Sequence, residues 1–452
     1  MCSSIKPSGK VWVWIVVILV LLPVIGVTLF HLKTGSAIKK RLADLRAQGH
    51  PVTLKELNDA YVLPAGADNA ADLYMDAFGL LMESSDEDKQ RLPLAGRASL
   101  PGRSEPLPDA NQVVIRQYLS DNQETLAALY EAASFEHARY PIDLTQGMDA
   151  SMAWLSDVRK CTFLLKLEAL MHLEHGDPDR AIESVRAGLA LAKSMKAPML
   201  IHYLVRVSVI SLHLDTVERI LCRGPLADEP LQAMIHTLDA LSTSASMKDA
   251  LVGERCMGLS TFDMSLDELA KQVSPNSRMP ILLLAPARVL GVLKRDQLAY
   301  LDIMQDIFNA LDIPMQNRYQ AVRAIAQDVE QGQRGGFMSR MIAPALGRVV
   351  QLDIRGQAGL IVTRTALQVE RFRLARGRLP ESLEQLVPHY FPAVPSDPFD
   401  GQPLRYLPLA KGFVVYSIGE DLSDDGGAEQ VKRKRGPGQK TPPYDKTFIV
   451  ER

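Results

Sequence analysis

At 452 residues the chain is long enough for two or three domains, and 47% apolar against 23% charged residues excludes a largely disordered polymer. A formal net charge of −2 gives a nucleic-acid partner no global electrostatic support. The four cysteines (Cys2, Cys161, Cys222, Cys256) stand far apart with no CxxC pair, which argues against structural zinc.

Residues 1–10 form a short tail. The stretch VWVWIVVILVLLPVIGVTLFHL (11–32) then runs without a single charge. As a helix it reaches about 33 Å, enough to cross the hydrocarbon core. Trp12 and Trp14 sit at one end, where aromatic rings favour the headgroup level. Pro23 can kink such a helix without preventing a span. The run is longer than the ~7–15-residue core of a cleaved signal peptide, so the expectation is an uncleaved transmembrane anchor. Lys6 and Lys10 flank one side; Lys33, Lys39, Lys40, Arg41 and Arg46 flank the other. That bias alone places the C-terminal side in the cytoplasm. Alternatively, residues 36–47 form an amphipathic helix on the membrane surface.

Residues 33–350 read as an α-helical body. Thr53 with Glu56 three residues on has the capping-box spacing that opens a short helix. Helical periodicity continues over 69–85, and the Pro-, Gly- and Ser-rich stretch 91–112 reads as a surface loop. Helices are expected from about 113 to 376. Cys161 and Cys222 fall in apolar helical stretches as small core residues. LLKLEALMHLEHGDPDRAIESVRAGLALAKSM (164–195) is helix, turn, helix. In it Gly176 can take a positive φ, Asp177 can cap, and Pro178 suits the first helical position. The pattern resembles one tetratricopeptide-type hairpin, with no 34-residue repeat on either side, so a helical-hairpin stack is expected rather than a repeat array. Residues 197–221 form a long, mostly buried helix.

Three polar groupings invite chemistry. Glu168, His172 and His175 fall on one helix face with metal-ligand spacing, but no further ligand pair is near, and solvated polar residues are the plainer account. His202, His213 and His236 share no helical spacing. Glu254, Arg255 and Asp263 lie in an apolar helical region, where an ion pair joining helices is favoured over acid–base work in a cleft. No GxSxG, HExxH, Walker A or GxGxxG occurs. The basic run KRKRGPGQK (432–440) reads as a solvated loop that can touch anionic lipid.

From about 351 to 452 the pattern changes. Leu360, Leu367 and Leu374 repeat every seven residues on a helix that Gly377 stops. ESLEQLVPHYF is expected as a second short helix. A proline-rich crossing loop follows, then strands at LRYLPL and GFVVYSI joined at 410–412, and a third strand at TFIV (447–450). Fold class is therefore mainly α, as a helical hairpin stack, with a small C-terminal α+β module and one N-terminal transmembrane helix.

Two stretches carry a resemblance: ALQVERFRLARGRLPESLEQLVPHYFPAVPSDPFDGQPLRY (366–406) and YSIGEDLSDDGG (416–427). Together they are similar to the C-terminal half of the major pseudopilin of type II secretion systems, over about a fifth of the chain. The whole chain resembles planctomycete-type membrane-anchored proteins that carry pseudopilin-like tails. Residues 11–32 lack the glutamate and the processing site with which pseudopilins open, so polymerisation as a pilus subunit is not expected. The family's acidic loop binds calcium, and the resemblance places Ser417, Asp421, Asp424, Asp425 and Asp445 at ligand positions. Calcium takes six to eight oxygens, which carboxylates on glycine turns can supply. Leu422, where the family has glycine, the one-residue longer loop and the nearby KRKR favour a plain glycine-rich turn instead.

The sequence thus leads to a non-catalytic, membrane-anchored interaction or scaffold protein of the bacterial envelope, with secretion as its context. Its expected partners are the lipid bilayer and other proteins, not nucleic acid, and calcium is the one cofactor in view. The expected location is the inner membrane; the resemblance implies an extracytoplasmic body, and the opposing flanking charge weighs less because long domains translocate largely regardless of it. The alternative is an enzyme using Glu254 and neighbouring acids in a helical cleft.

Overall fold

The computed structural model describes residues 9–150, 152–243, 247–273, 285–429 and 444–452. In chain order its helices are α1 (Gly9–Ala47), α2 (Leu54–Ala60), α3 (Ala70–Leu80), α4 (Asp109–Asp121), α5 (Gln123–Ala133), α6 (Leu155–Glu174), α7 (Pro178–Ser194), α8 (Leu200–Arg223), α9 (Asp228–Thr243), α10 (Met247–Asp263) and α11 (Leu266–Val273). Then come α12 (Val292–Ala310), α13 (Met315–Glu330) and α14 (Phe337–Arg376), followed by β1 (Arg405–Leu409), β2 (Gly412–Ser417) and β3 (Lys446–Glu451). The protein is mainly helical with a small three-stranded sheet.

α1 continues through Pro23 as one rod and is long and apolar enough to cross a membrane. Side chains from Ile18 to Leu32 stand largely exposed, while Ile38 and Leu45 are buried. Residues 36–47 are thus the end of this rod, packed on α12, and not a separate surface helix. α8 also passes the length and composition test for a span, but half of its apolar window is buried among α6, α7, α10, α14 and β3.

Local signals place the body's helix ends. Thr53 Oγ1 accepts the Glu56 N–H at 3.1 Å, and the Glu56 carboxylate accepts the Val52 N–H at 2.9 Å. Between α6 and α7, Gly176 takes φ 74°, and Asp177 accepts the Arg180 N–H at 3.1 Å ahead of Pro178. α6 lies between α4 and α8, α7 packs on α5, α8 and α9, and α14 packs against both α8 and α9. α6, α7 and α8 also pack on one another, with Leu164, Leu165, Val185, Leu189, Val217 and Leu367 in one shared core. A second core joins α1, α10, α12 and α14 through Leu45, Leu251, Met304 and Val350.

The sheet is antiparallel in the order β1-β2-β3, with Tyr406 opposite Val415 and Val415 opposite Phe448. Its period-two alternation sends Phe413, Val415, Phe448 and Val450 into the main core, while Val414, Tyr416 and Ile449 cluster apart.

Three details differ from expectation. α14 starts at Phe337 and crosses position 351 without a break. Leu360 and Leu367 are buried but Leu374 is exposed, because a seven-residue spacing drifts by about 20° per repeat on a straight helix. ESLEQLVPHYF makes only a 3-10 turn at Leu383–Leu386, bracketed by Pro380 and Pro388. The KRKRGPGQK run (432–440) and Cys2 lie outside the described residues.

Candidate interaction groove and acidic loop

Where α5 ends, its following loop meets one face of α7 and one face of α9 around an open groove of about 690 Å³. Alanines form much of its lining: Ala133, Ala138, Ala187, Ala190, Ala233 and Ala240. These short side chains recur at helical spacing on α7 and α9, so the two helices leave a trough between them. Glu136, Glu183, Arg186 and His236 are exposed around it, and Lys193 is half-buried. Arg186 Nε donates to Thr237 Oγ1 at 3.3 Å across the groove. Tyr130 donates to Glu168 Oε2 at 2.6 Å and lies 2.9 Å from Ser184 Oγ. Glu168 is thereby drawn toward α5.

Beneath one end of the groove lies a buried polar knot. Leu241 lines the groove, and its carbonyl accepts Arg206 Nη2 at 2.8 Å. The Tyr203 hydroxyl donates to Asp353 on α14. Tyr203, Arg206, Asp353 and Gln357 border a cavity of about 20 Å³. Burial pushes the Asp353 carboxyl up and the Arg206 guanidinium down from their ordinary values. Neither groove nor knot has a motif in the sequence. The one available signal was the interleaving of alanine with charge on α7.

The acidic loop is held by its own backbone. Asp397, fully buried, accepts the Ser417 hydroxyl at 2.7 Å, the Ile418 N–H at 2.9 Å and Arg405 Nη1 at 2.7 Å. Asp421 accepts the Ser423 N–H at 3.2 Å, and Asp424 accepts the Gly426 N–H at 3.0 Å and the Tyr416 hydroxyl at 3.1 Å. Asp445 accepts the Gly427 N–H at 2.7 Å and the Asp425 N–H at 3.4 Å. Burial, and then the neighbouring aspartates, raise the carboxyls of Asp425 and Asp445. Among the described residues no three His, Cys, Asp or Glu side chains converge in a way that would hold a metal ion. Asp397, which the sequence analysis did not single out as a site residue, organises this region. Its position in the SDPFDG turn was the readable clue.

Elsewhere, the expected ion pair of Glu254 is not formed. Arg255 donates to the Pro51 carbonyl at 3.2 Å and lies over the Phe308 ring, and Asp263 is exposed. Glu254 is half-buried, has no side-chain partner among the described residues, and its carboxyl is raised by burial. It does not line the groove. His202 and His213 are fully buried on α8, and both ring nitrogens of each lack a hydrogen-bond partner among the described residues. Cys161, Cys222 and Cys256 are free and buried. Comparison with family models, with curated proteins and with solved structures gives no match, so the pseudopilin likeness rests on the motifs quoted above alone.

Proposed function

We propose that the protein is a non-catalytic scaffold tethered to the inner membrane of a bacterial envelope by α1, and that the α5/α7/α9 groove seats a segment of a partner protein. One observation carries this reading. The groove has the volume of a ligand pocket but is open to solvent, with an alanine floor and rim charges of both signs. An open trough of that kind suits a peptide or helix carrying complementary charges better than an enclosed small molecule. The secretion context and the extracytoplasmic side rest on the pseudopilin likeness, and protease access in intact against lysed cells tests the side.

The groove is tested in cells with a photo-crosslinking residue at Thr237. A discrete protein adduct that disappears when Ala190→Trp fills the trough supports the reading. An adduct indifferent to Ala190→Trp, or none at all, removes it.

The catalytic alternative keeps one supporting observation, the Glu254 carboxyl, raised by burial and without a side-chain partner among the described residues. Its test is argued in the Discussion.

A further inference from the structure

The apolar run of α1 ends at Leu32, and at that level the soluble body comes down beside it. His31 Nε2 lies 2.9 Å from the Val289 carbonyl, and the Phe30 ring lies against Gly291, whose φ of 74° turns the chain into α12. The turn leaves three apolar side chains in solvent: Val289 at 70% exposure, Leu290 at 54% and Val292 at 49%. Lys33, Lys294 and Arg295 are exposed around them. The nearest acids are engaged elsewhere. Asp302 pairs with Arg41 at 2.8 Å, and buried Asp296 accepts the Gly336 N–H at 2.7 Å and the Met338 N–H at 2.8 Å. The patch is therefore apolar at its centre and cationic at its rim. It sits within about one helical turn of the point where α1 leaves its apolar stretch.

We infer that this turn is a second membrane contact: Val289, Leu290 and Val292 enter the interfacial layer of the bilayer that α1 crosses, and Lys33, Lys294 and Arg295 meet anionic headgroups. The inference rests on α1 being a membrane span. A span that holds the patch at the membrane surface makes its burial nearly intramolecular, so a small apolar area suffices where a free peripheral protein needs a larger one. The charges flank the apolar residues as they do in interfacial segments, with long cationic side chains reaching outward to phosphates. The tie from His31 to Val289 and the four-donor clasp of Asp296 on the start of α14 fix the patch relative to both α1 and the body. The body then stands in one orientation on the membrane rather than swinging on a leash.

The full-length protein in liposomes containing anionic lipid tests this, with a benzophenone amino acid placed in turn at Leu22, Leu290, Val292 and Val113. Val113 is an exposed position on α4. Lipid adducts at Leu22, Leu290 and Val292 but not at Val113 are the expected result. Adducts at Leu22 without adducts at Leu290 and Val292 overturn the inference and leave the anchor standing. Absence of an adduct at Leu22 takes down the anchor and the inference with it.

Discussion

The Ser417 hydroxyl donates to the Asp397 carboxylate at 2.7 Å and ties the end of β2 to the crossing loop. Asp397 also accepts from the Phe399 N–H, the Ile418 N–H and Arg405, so donors crowd a side chain that solvent does not reach. A side chain that only accepts is the group that fits these donors. Asp397→Asn brings two N–H donors into that ring and removes the partner of Arg405. Breaking a buried charge pair typically costs about 3–5 kcal/mol. Arg405 keeps some contact with solvent and with Asp400, so a loss of about 2–3 kcal/mol is expected on denaturant unfolding. A loss below about 1 kcal/mol would mean that the hydrogen bonds around Asp397 are ornamental.

The same loop predicts indifference to calcium. Asp421, Asp424 and Asp445 already accept backbone N–H groups, and Arg405 stands 3.7 Å from Asp424. The melting temperature of the full chain should not move at about millimolar calcium, the range in which weak extracellular calcium modules load. A rise would reinstate the calcium site that the resemblance places at Ser417, Asp421, Asp424, Asp425 and Asp445. Protons should act where calcium does not. The Asp425 and Asp445 carboxyls are raised in the fold, so the folded loop binds protons more tightly than the unfolded chain does. Their contribution to stability grows as pH falls into the carboxylate range and is lost as pH rises through the folded values.

His213 and His202 act in the opposite sense. Burial depresses them from 6.5 to about 3 and about 4 respectively, with the Lys166 charge adding to the effect at His213. The unfolded chain takes up protons below about pH 6.5 while the folded chain refuses them. Stability is therefore intact above that pH and declines as pH falls toward 4. His213 packs so closely on Gly188 that a methyl group there would collide with its ring. His213→Leu should flatten the acid limb of the stability profile, and Gly188→Ala should destabilise at every pH. An acid limb unchanged in His213→Leu would place the sensitivity elsewhere.

The readable parts of this chain were those with local causes. The α1 rod came from an uncharged run, the α6–α7 turn from Gly176, Asp177 and Pro178, and the three strands from short apolar runs, two of them joined by a turn. Each signal lies within a few residues of its effect. The groove was not readable, because Ala133, Ala187 and Ala233 become neighbours only after three helices stack. The knot of Tyr203 with Asp353 joins residues 150 positions apart, and no local pattern announces it. The expected ion pair joining helices at Glu254 failed for a related reason. Adjacent helix positions point about 100° apart, so Arg255 finds Pro51 and Phe308 while Glu254 faces elsewhere.

Glu254 separates scaffold from enzyme. Its carboxyl is raised by burial and has no side-chain partner among the described residues to repay its desolvation, so ionisation in the fold is a net penalty. Glu254→Gln removes that penalty. The variant should melt higher than the parent at pH 8, with the gap closing as pH falls through the carboxylate range. A Glu254→Gln variant that is less stable at pH 8 would mean that the carboxylate has a partner that holds it, and the catalytic alternative would lose its one supporting observation.

Gly291 is the joint between α1 and the body. Its φ of 74° lies in the left-handed region, where an L-residue loses about 1–2 kcal/mol, and a methyl group there would stand 2.9 Å from the Phe30 ring. Gly291→Ala should therefore loosen the seam between α1 and α12. Faster amide exchange is expected across 289–293 and across 31–38, while α6 and α7 stay protected. The two causes can be told apart. Phe30→Ala in the same chain relieves the collision but not the backbone strain, so the double variant should recover only part of the lost protection. Full recovery would assign the effect to packing alone, and no recovery would assign it to the backbone.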